Sequence, residues 1–191
     1  MLEDGAFRKY DAAKLPVDAA GVNAMENIML HILDTKANYW SLWTETANLA
    51  SYNEHYPRGF ERLRTNMGYR LRPSWVWQRK RSGAPELVVC ISNRGVAGVP
   101  GVLWLNMVSS DGKVKMRGSL DAGYPHGGGL RMGSFLLPAG YVGEIRLSAE
   151  IEIRPGVLRP IAWACEQPVN ADGSISIHVK PADDPKFRKA V

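Results

Sequence analysis

The chain has 191 residues, 45% hydrophobic and 23% charged, which admits one ordinary domain, or one domain with a substantial appendage, and excludes general disorder. No stretch approaches the roughly 18 consecutive apolar residues of a membrane helix, and 2 Cys without CxxC or Cys/His spacing exclude a disulfide scaffold and suggest no zinc. The net charge of +5 is uneven, with 7 Lys/Arg against 9 Asp/Glu in residues 1–66 and 17 against 10 in residues 67–191, but the cations are scattered over expected strands, which argues against nucleic acid.

The first third has helical spacing. Val22, Met25, Met29 and Ile32 recur every three or four residues, with Ile28 and Leu33 widening the stripe, Asp18 as an N-cap and residues 34–38 as a polar exit. Met1 to Gly5 show neither a basic start nor an apolar run, so no signal peptide is expected and the compartment stays open. Tyr39 to Thr44 is an aromatic and β-branched run that suits a short buried strand. After Pro57 a second helix is expected, with Phe60, Leu63 and Met67 on one face and Gly68 as its stop. Helix, strand, helix is a slice of an α/β fold, and one strand makes no sheet by itself.

From Tyr69 the period changes to two. Tyr69, Leu71, Trp75 and Trp77 fall on one face of a strand, opposite Arg70, Arg72 and Gln78. Arg79-Lys80-Arg81 is read as a solvated strand end before a turn over residues 82–85. Further strands are expected at residues 87–91, 102–108, 161–165 and 175–179, with Asp111-Gly112 and Asp172-Gly173 as turns. The clearest alternation runs from Glu144 to Arg154, with Ile145, Leu147, Ala149, Ile151 and Ile153 facing in. About seven short antiparallel strands point to a mainly β chain, an immunoglobulin-like antiparallel β-sandwich preceded by the helix–strand–helix slice of an α/β fold. The expected division is 1–67 for the helical segment, 68–181 for the sandwich and 182–191 for a charged, frayed tail.

The segments 38–49, Tyr56-Pro-Arg-Gly-Phe60, 68–77, 93–101, 118–125 and Pro160-Ile-Ala-Trp-Ala-Cys165 stand out as words of the sequence. They are similar to the carboxy-terminal part of bacterial glycoside-hydrolase-like proteins, in which a (β/α)8 barrel precedes an immunoglobulin-like sandwich, and this resemblance implies that the helix–strand–helix piece belongs to an α/β barrel. The resemblance covers residues 20–180 and implies that Tyr39 to Thr44 is the eighth barrel strand. It carries no characterised activity and no catalytic dyad. At least six βα units of such a barrel are absent, and glycosidase chemistry needs two carboxyl groups flanking the bond. The chain is therefore expected to be catalytically incomplete, as a truncated reading frame or a piece of a longer gene. Its parent would be exported.

Candidate ligand residues are Trp43, Glu45, Tyr124 and His126; no catalytic residue is assigned. Glu45 follows the expected barrel strand, where barrel sites lie, so it could accept a sugar hydroxyl with Trp43 as a stacking platform. The alternative makes Trp43 core and Glu45 a first-turn acid favoured by the helix dipole. Residues 121–129 form a Gly-rich loop in which Tyr124 and His126 either approach a ligand or sit in a plain hairpin connection. Trp75 and Trp77 could stack on glycans, but a period-two apolar row is read first as core or interface packing. The four histidines lack ligand spacing, so no metal or cofactor is expected. Cys90 and Cys165 are read as buried free thiols, an inter-sheet disulfide being the alternative.

Two functions follow. One is an accessory region of a carbohydrate-processing protein that dimerises through the uncovered helical segment; the other is a stand-alone carbohydrate-binding or protein-interaction module. Carbohydrate is the expected partner, with no membrane and no nucleic acid.

Overall fold

The computed structural model describes residues 30–39, 50, 53–120 and 130–181. The chain divides into two compact units, Met1–Tyr69 with Gly95–Gly98, and Arg70–Arg94 with Val99–Val191.

In the first unit, helix α1 spans Pro57–Asn66. Proline suits its first position, because the N–H it lacks would find no partner inside the helix. Leu63 is buried on the packed face, as expected, while Phe60 and Met67 are half-buried. The helix stops at Gly68, whose φ of +78° favours glycine. A Cβ there would also lie 3.0 Å from the Asn38 carbonyl oxygen. Residues 30–34 are helical and Ile32 is buried. The expected helix before residue 30 and the expected barrel strand from residue 40 onward lie outside the described residues.

The second unit is mainly β. Its described strands are β1 (Leu71–Arg81), β2 (Ala84–Asn93), β3 (Val102–Ser109), β4 (Lys115–Leu120), β5 (Leu130–Leu136), β6 (Gly143–Arg154), β7 (Val157–Pro160) and β8 (Ile175–Val179). One sheet has the order β1-β2-β5. The other runs β4-β3-β6, with β7 and β8 both paired to β6. Every pairing is antiparallel. The hairpins follow from turn chemistry: Ser82 (φ 50°) and Gly83 (φ 80°) close β1 onto β2, the two-residue turn with both φ positive that matches strand twist. Gly112 and Gly173 supply the positive φ at the two expected Asp-Gly turns.

The two sheets face each other in a sandwich-like arrangement, and the ring of Phe135 on β5 marks where they meet. A Cβ on Gly118 of β4 would lie 3.2 Å from this ring, and one on Gly133 would lie 3.1 Å from it and 3.5 Å from both Leu105 and Leu120. Around this point Leu87, Val89, Leu103, Leu105, Met107, Ile145, Leu147 and Ile151 are buried, forming the core.

Three expectations need correction. Ile153 faces solvent at 50% exposure, because the β6–β7 pairing shifts register between Glu152 and Arg154 and breaks the alternation there. Residues 161–164 are not a strand; they cross between sheets, with Ile161 N–H donating to Ala149 on β6 and Ala164 N–H to Leu71 on β1. Cys165 is thus off any strand and half-exposed, and both cysteines are free. Strands β4, β5 and β7 add to those expected. Gly118 and Gly133 interrupt the patterns of β4 and β5, and β7 has only four residues.

Gly101 sits against the β6 irregularity. A Cβ added there would meet the Glu152 carbonyl oxygen at 2.2 Å. Backbone cannot yield as a flexible side chain would, so Gly101→Ala is expected to destabilise the chain by about 2–3 kcal/mol. Urea unfolding of the variant checks this; an unchanged midpoint would refute it.

Candidate functional site

A sandwich has two outer faces, and here they differ in kind. On the β4-β3-β6 sheet the outward side chains form a satisfied polar network. Trp104 Nε1 donates to Glu152 (2.8 Å), Asn106 Nδ2 donates to Glu150 (3.0 Å), and the Arg117 guanidinium lies 4.4 Å from the Trp104 ring centre. Glu152 also accepts the Gly156 N–H at 2.9 Å. This backbone bond, then the Trp104 bond, holds its carboxyl below the ordinary range. Such a face is built for water.

The outer face of the β1-β2-β5 sheet is not. The pairing of β1 with β2 shifts register between Pro73 and Trp75. Before the shift Leu71 and Pro73 pair with Asn93 and Ile91; after it Trp75 and Trp77 pair with Cys90 and Val88. The extra residue, Ser74, turns the strand over. Proline is tolerated at such a place, on an edge strand beside a bulge. Trp75 and Trp77 therefore do not share the face of Leu71. They point outward, together with Arg72. The expected core or interface packing of the tryptophans is replaced by exposure of 67% for Trp75 and 37% for Trp77. On the far side of β2, Met132 is 61% exposed, and Leu130 and Leu136 are exposed too. These large exposed apolar side chains gather on one face, which makes it the candidate interaction surface.

Between these edge strands every residue of β2 is buried. Cys90, flanked in register by Trp75 and Met132, is fully covered, and burial pushes its thiol pKa up. Such a thiol is a poor nucleophile.

Glu86 is the buried charge of this face. Its carboxylate accepts hydrogen bonds from Arg79 Nε, Arg81 Nη1 (3.0 Å) and Ser134 Oγ. The Arg79 hydrogen bond above all, opposed by desolvation and assisted by Ser134 and Arg81, holds the Glu86 carboxyl down to about 2. Arg79 and Arg81 are thus not simply a solvated strand end. Each guanidinium bonds Glu86 through one nitrogen of its fork and remains about half exposed.

Trp43, Glu45, Tyr124 and His126, the ligand residues expected from sequence, lie outside the described residues. Among the described residues, no group of three or more His, Cys, Asp or Glu side chains could hold a metal ion, and no helix is long and apolar enough to cross a membrane. Comparison with family models, curated proteins and solved structures finds no match to this chain.

The Glu86 carboxyl ionises in the folded chain well below the range near 4.3 expected when unfolded. It therefore stabilises the fold above that unfolded value, and the contribution disappears as pH falls toward about 2. Glu86→Gln is expected to cost about 1–2 kcal/mol near neutral pH, the lower part of the range for charged hydrogen bonds because both arginines are half in water. Urea midpoints measured against pH should show the variant and the parent converging toward pH 2. A difference that stays constant with pH would refute the assignment.

Proposed function

We propose that this chain is a binding module, an accessory region of a carbohydrate-processing protein that takes glycan on the outer face of its β1-β2-β5 sheet. The observation that carries the reading is the outward pair Trp75 and Trp77. Two residues apart on one strand, they stand roughly 7 Å from each other along it, and flat aromatic faces stack on the apolar faces of pyranose rings. The fully buried strand β2, paired beside them, anchors the strand that carries them.

The immunoglobulin-like character of the sandwich is part of this proposal. In such folds the first, second and fifth strands of the lettered series share one sheet, and the third, sixth and seventh share the other. The order β1-β2-β5 against β4-β3-β6 with β8 supports that assignment, β7 being an additional short strand on β6. The glycoside-hydrolase-like origin rests on the sequence words quoted above. A second reading, docking of a protein, is favoured by the aliphatic side chains of Leu130, Met132 and Leu136 on the same face.

A glycan array on the full chain, followed by calorimetry, separates the two. Trp75→Ala should reduce glycan affinity about tenfold or more while changing unfolding free energy by less than about 0.5 kcal/mol, as expected of an exposed side chain. An array without a hit, or a variant that binds as well as the parent, would overturn the glycan reading.

A further inference from the structure

The charge on the two outer faces differs as much as their polarity does. The polar face of β4-β3-β6 carries Glu144, Glu150 and Glu152 against Lys115, Arg117 and Arg146, an even balance. The tryptophan face carries Arg72, Arg79 and Arg81 from β1, and its carboxylate among the described residues is Glu86. That carboxylate is buried and already engaged by two arginines and Ser134. Positive charge is left over on a surface whose exposed large side chains, Trp75, Trp77, Leu130, Met132 and Leu136, are apolar.

The arrangement also fixes where that charge sits. Glu86 is the cross-strand partner of Arg79, and Arg81 reaches the same carboxylate from two residues further along β1. Both guanidiniums are held beside the Trp77 side of the face instead of sweeping through solvent. A guanidinium has five N–H donors in a planar fork suited to carboxylate oxygens. Each ion pair to Glu86 uses one nitrogen, and 42% of the Arg79 side chain and 62% of the Arg81 side chain remain exposed. At the other end of the tryptophan pair, Arg72 has a buried Nε without a hydrogen-bond partner. Cations thus bracket two stacking platforms along one strand.

We propose that this face takes an acidic polysaccharide, a chain of pyranose rings bearing carboxylates, with Trp75 and Trp77 stacking on the rings and Arg79 and Arg81 pairing with the carboxylates. The inference rests on the glycan reading of the face and names the class of glycan. A neutral glycan would leave the guanidiniums unused. A polyuronate supplies both a ring face to stack and an anion on the same sugar.

The test uses the full chain with oligogalacturonides and oligoalginates, each compared with its methyl-esterified form, which keeps the rings and removes the charge. Calorimetry should show at least one acid form binding about tenfold tighter than its ester at low salt, with the advantage shrinking as salt rises. Arg81→Gln should bring the affinity of the acid form down toward that of the ester, and Trp75→Ala should weaken the acid form as well. Arg81 is largely exposed and Glu86 keeps Arg79 and Ser134, so the variant should fold; its thermal midpoint checks that. Equal binding of acid and ester, lost in Trp75→Ala, would overturn the acidic preference and leave the glycan surface standing. Binding of neither form, with other glycans bound, would do the same. No glycan bound at all would overturn both. Concentration-dependent dimerisation abolished by Trp75→Ala would give the face to a second copy of the chain. Tighter binding of single-stranded oligothymidylate than of either polyuronate would give it to nucleic acid. Either result overturns both readings.

Discussion

The ten residues of β2 are buried from end to end, and the carboxylate of Glu86 among them stays charged only because neighbouring strands bring it donors. An unpaired carboxylate in that position would take up a proton or distort the sheet. The requirement ties three strands together. β1 must present Arg79 and Arg81 to the same face as Glu86, and β5 must present Ser134. Residues of one face lie two apart along a strand, so this pairing also determines where every other side chain of β1 and β5 points.

The orientation of the tryptophans is the consequence. With Arg79 outward, Trp77 and Trp75 are outward too, while Leu71 at the start of the same strand must be inward to reach the core. The two demands are incompatible in a regular strand. The extra residue at Ser74 reconciles them, and Pro73 beside it loses nothing on an edge strand. One irregularity thus separates a core-forming segment of β1 from a surface-forming one.

The inner face of the same sheet meets its partner through close approach. Gly118 and Gly133 leave space for the Phe135 ring, and Gly101 lets its backbone pass against the end of β6. These glycines matter for what they lack. The result is a sandwich-like arrangement with two unlike outer surfaces, one carrying a balanced polar network and the other an apolar strip edged with arginine. A surface of the second kind has a reason to bind, because water solvates it poorly.

Much of this was legible in the residues alone. Alternation with period two marked β1, β6 and β8, because a half-buried strand repeats every second residue, apolar runs marked β2 and β3, and Asp-Gly pairs marked two turns, because both need positive φ. The pattern of Leu63 with Gly68 marked α1 and its end. The short or glycine-interrupted β4, β5 and β7 left no such pattern. The candidate site was legible only in its parts: Trp75 and Trp77 were visible as an aromatic row and Arg79-Lys80-Arg81 as a charged run. Tertiary structure decided what they do, since the face a strand residue takes depends on its register with a partner strand, and one unpaired residue reverses it. The charge state of Glu86 was likewise settled by its partners in the sheet, Arg79 above all, with help from Ser134, 48 residues away in sequence but within hydrogen-bond reach.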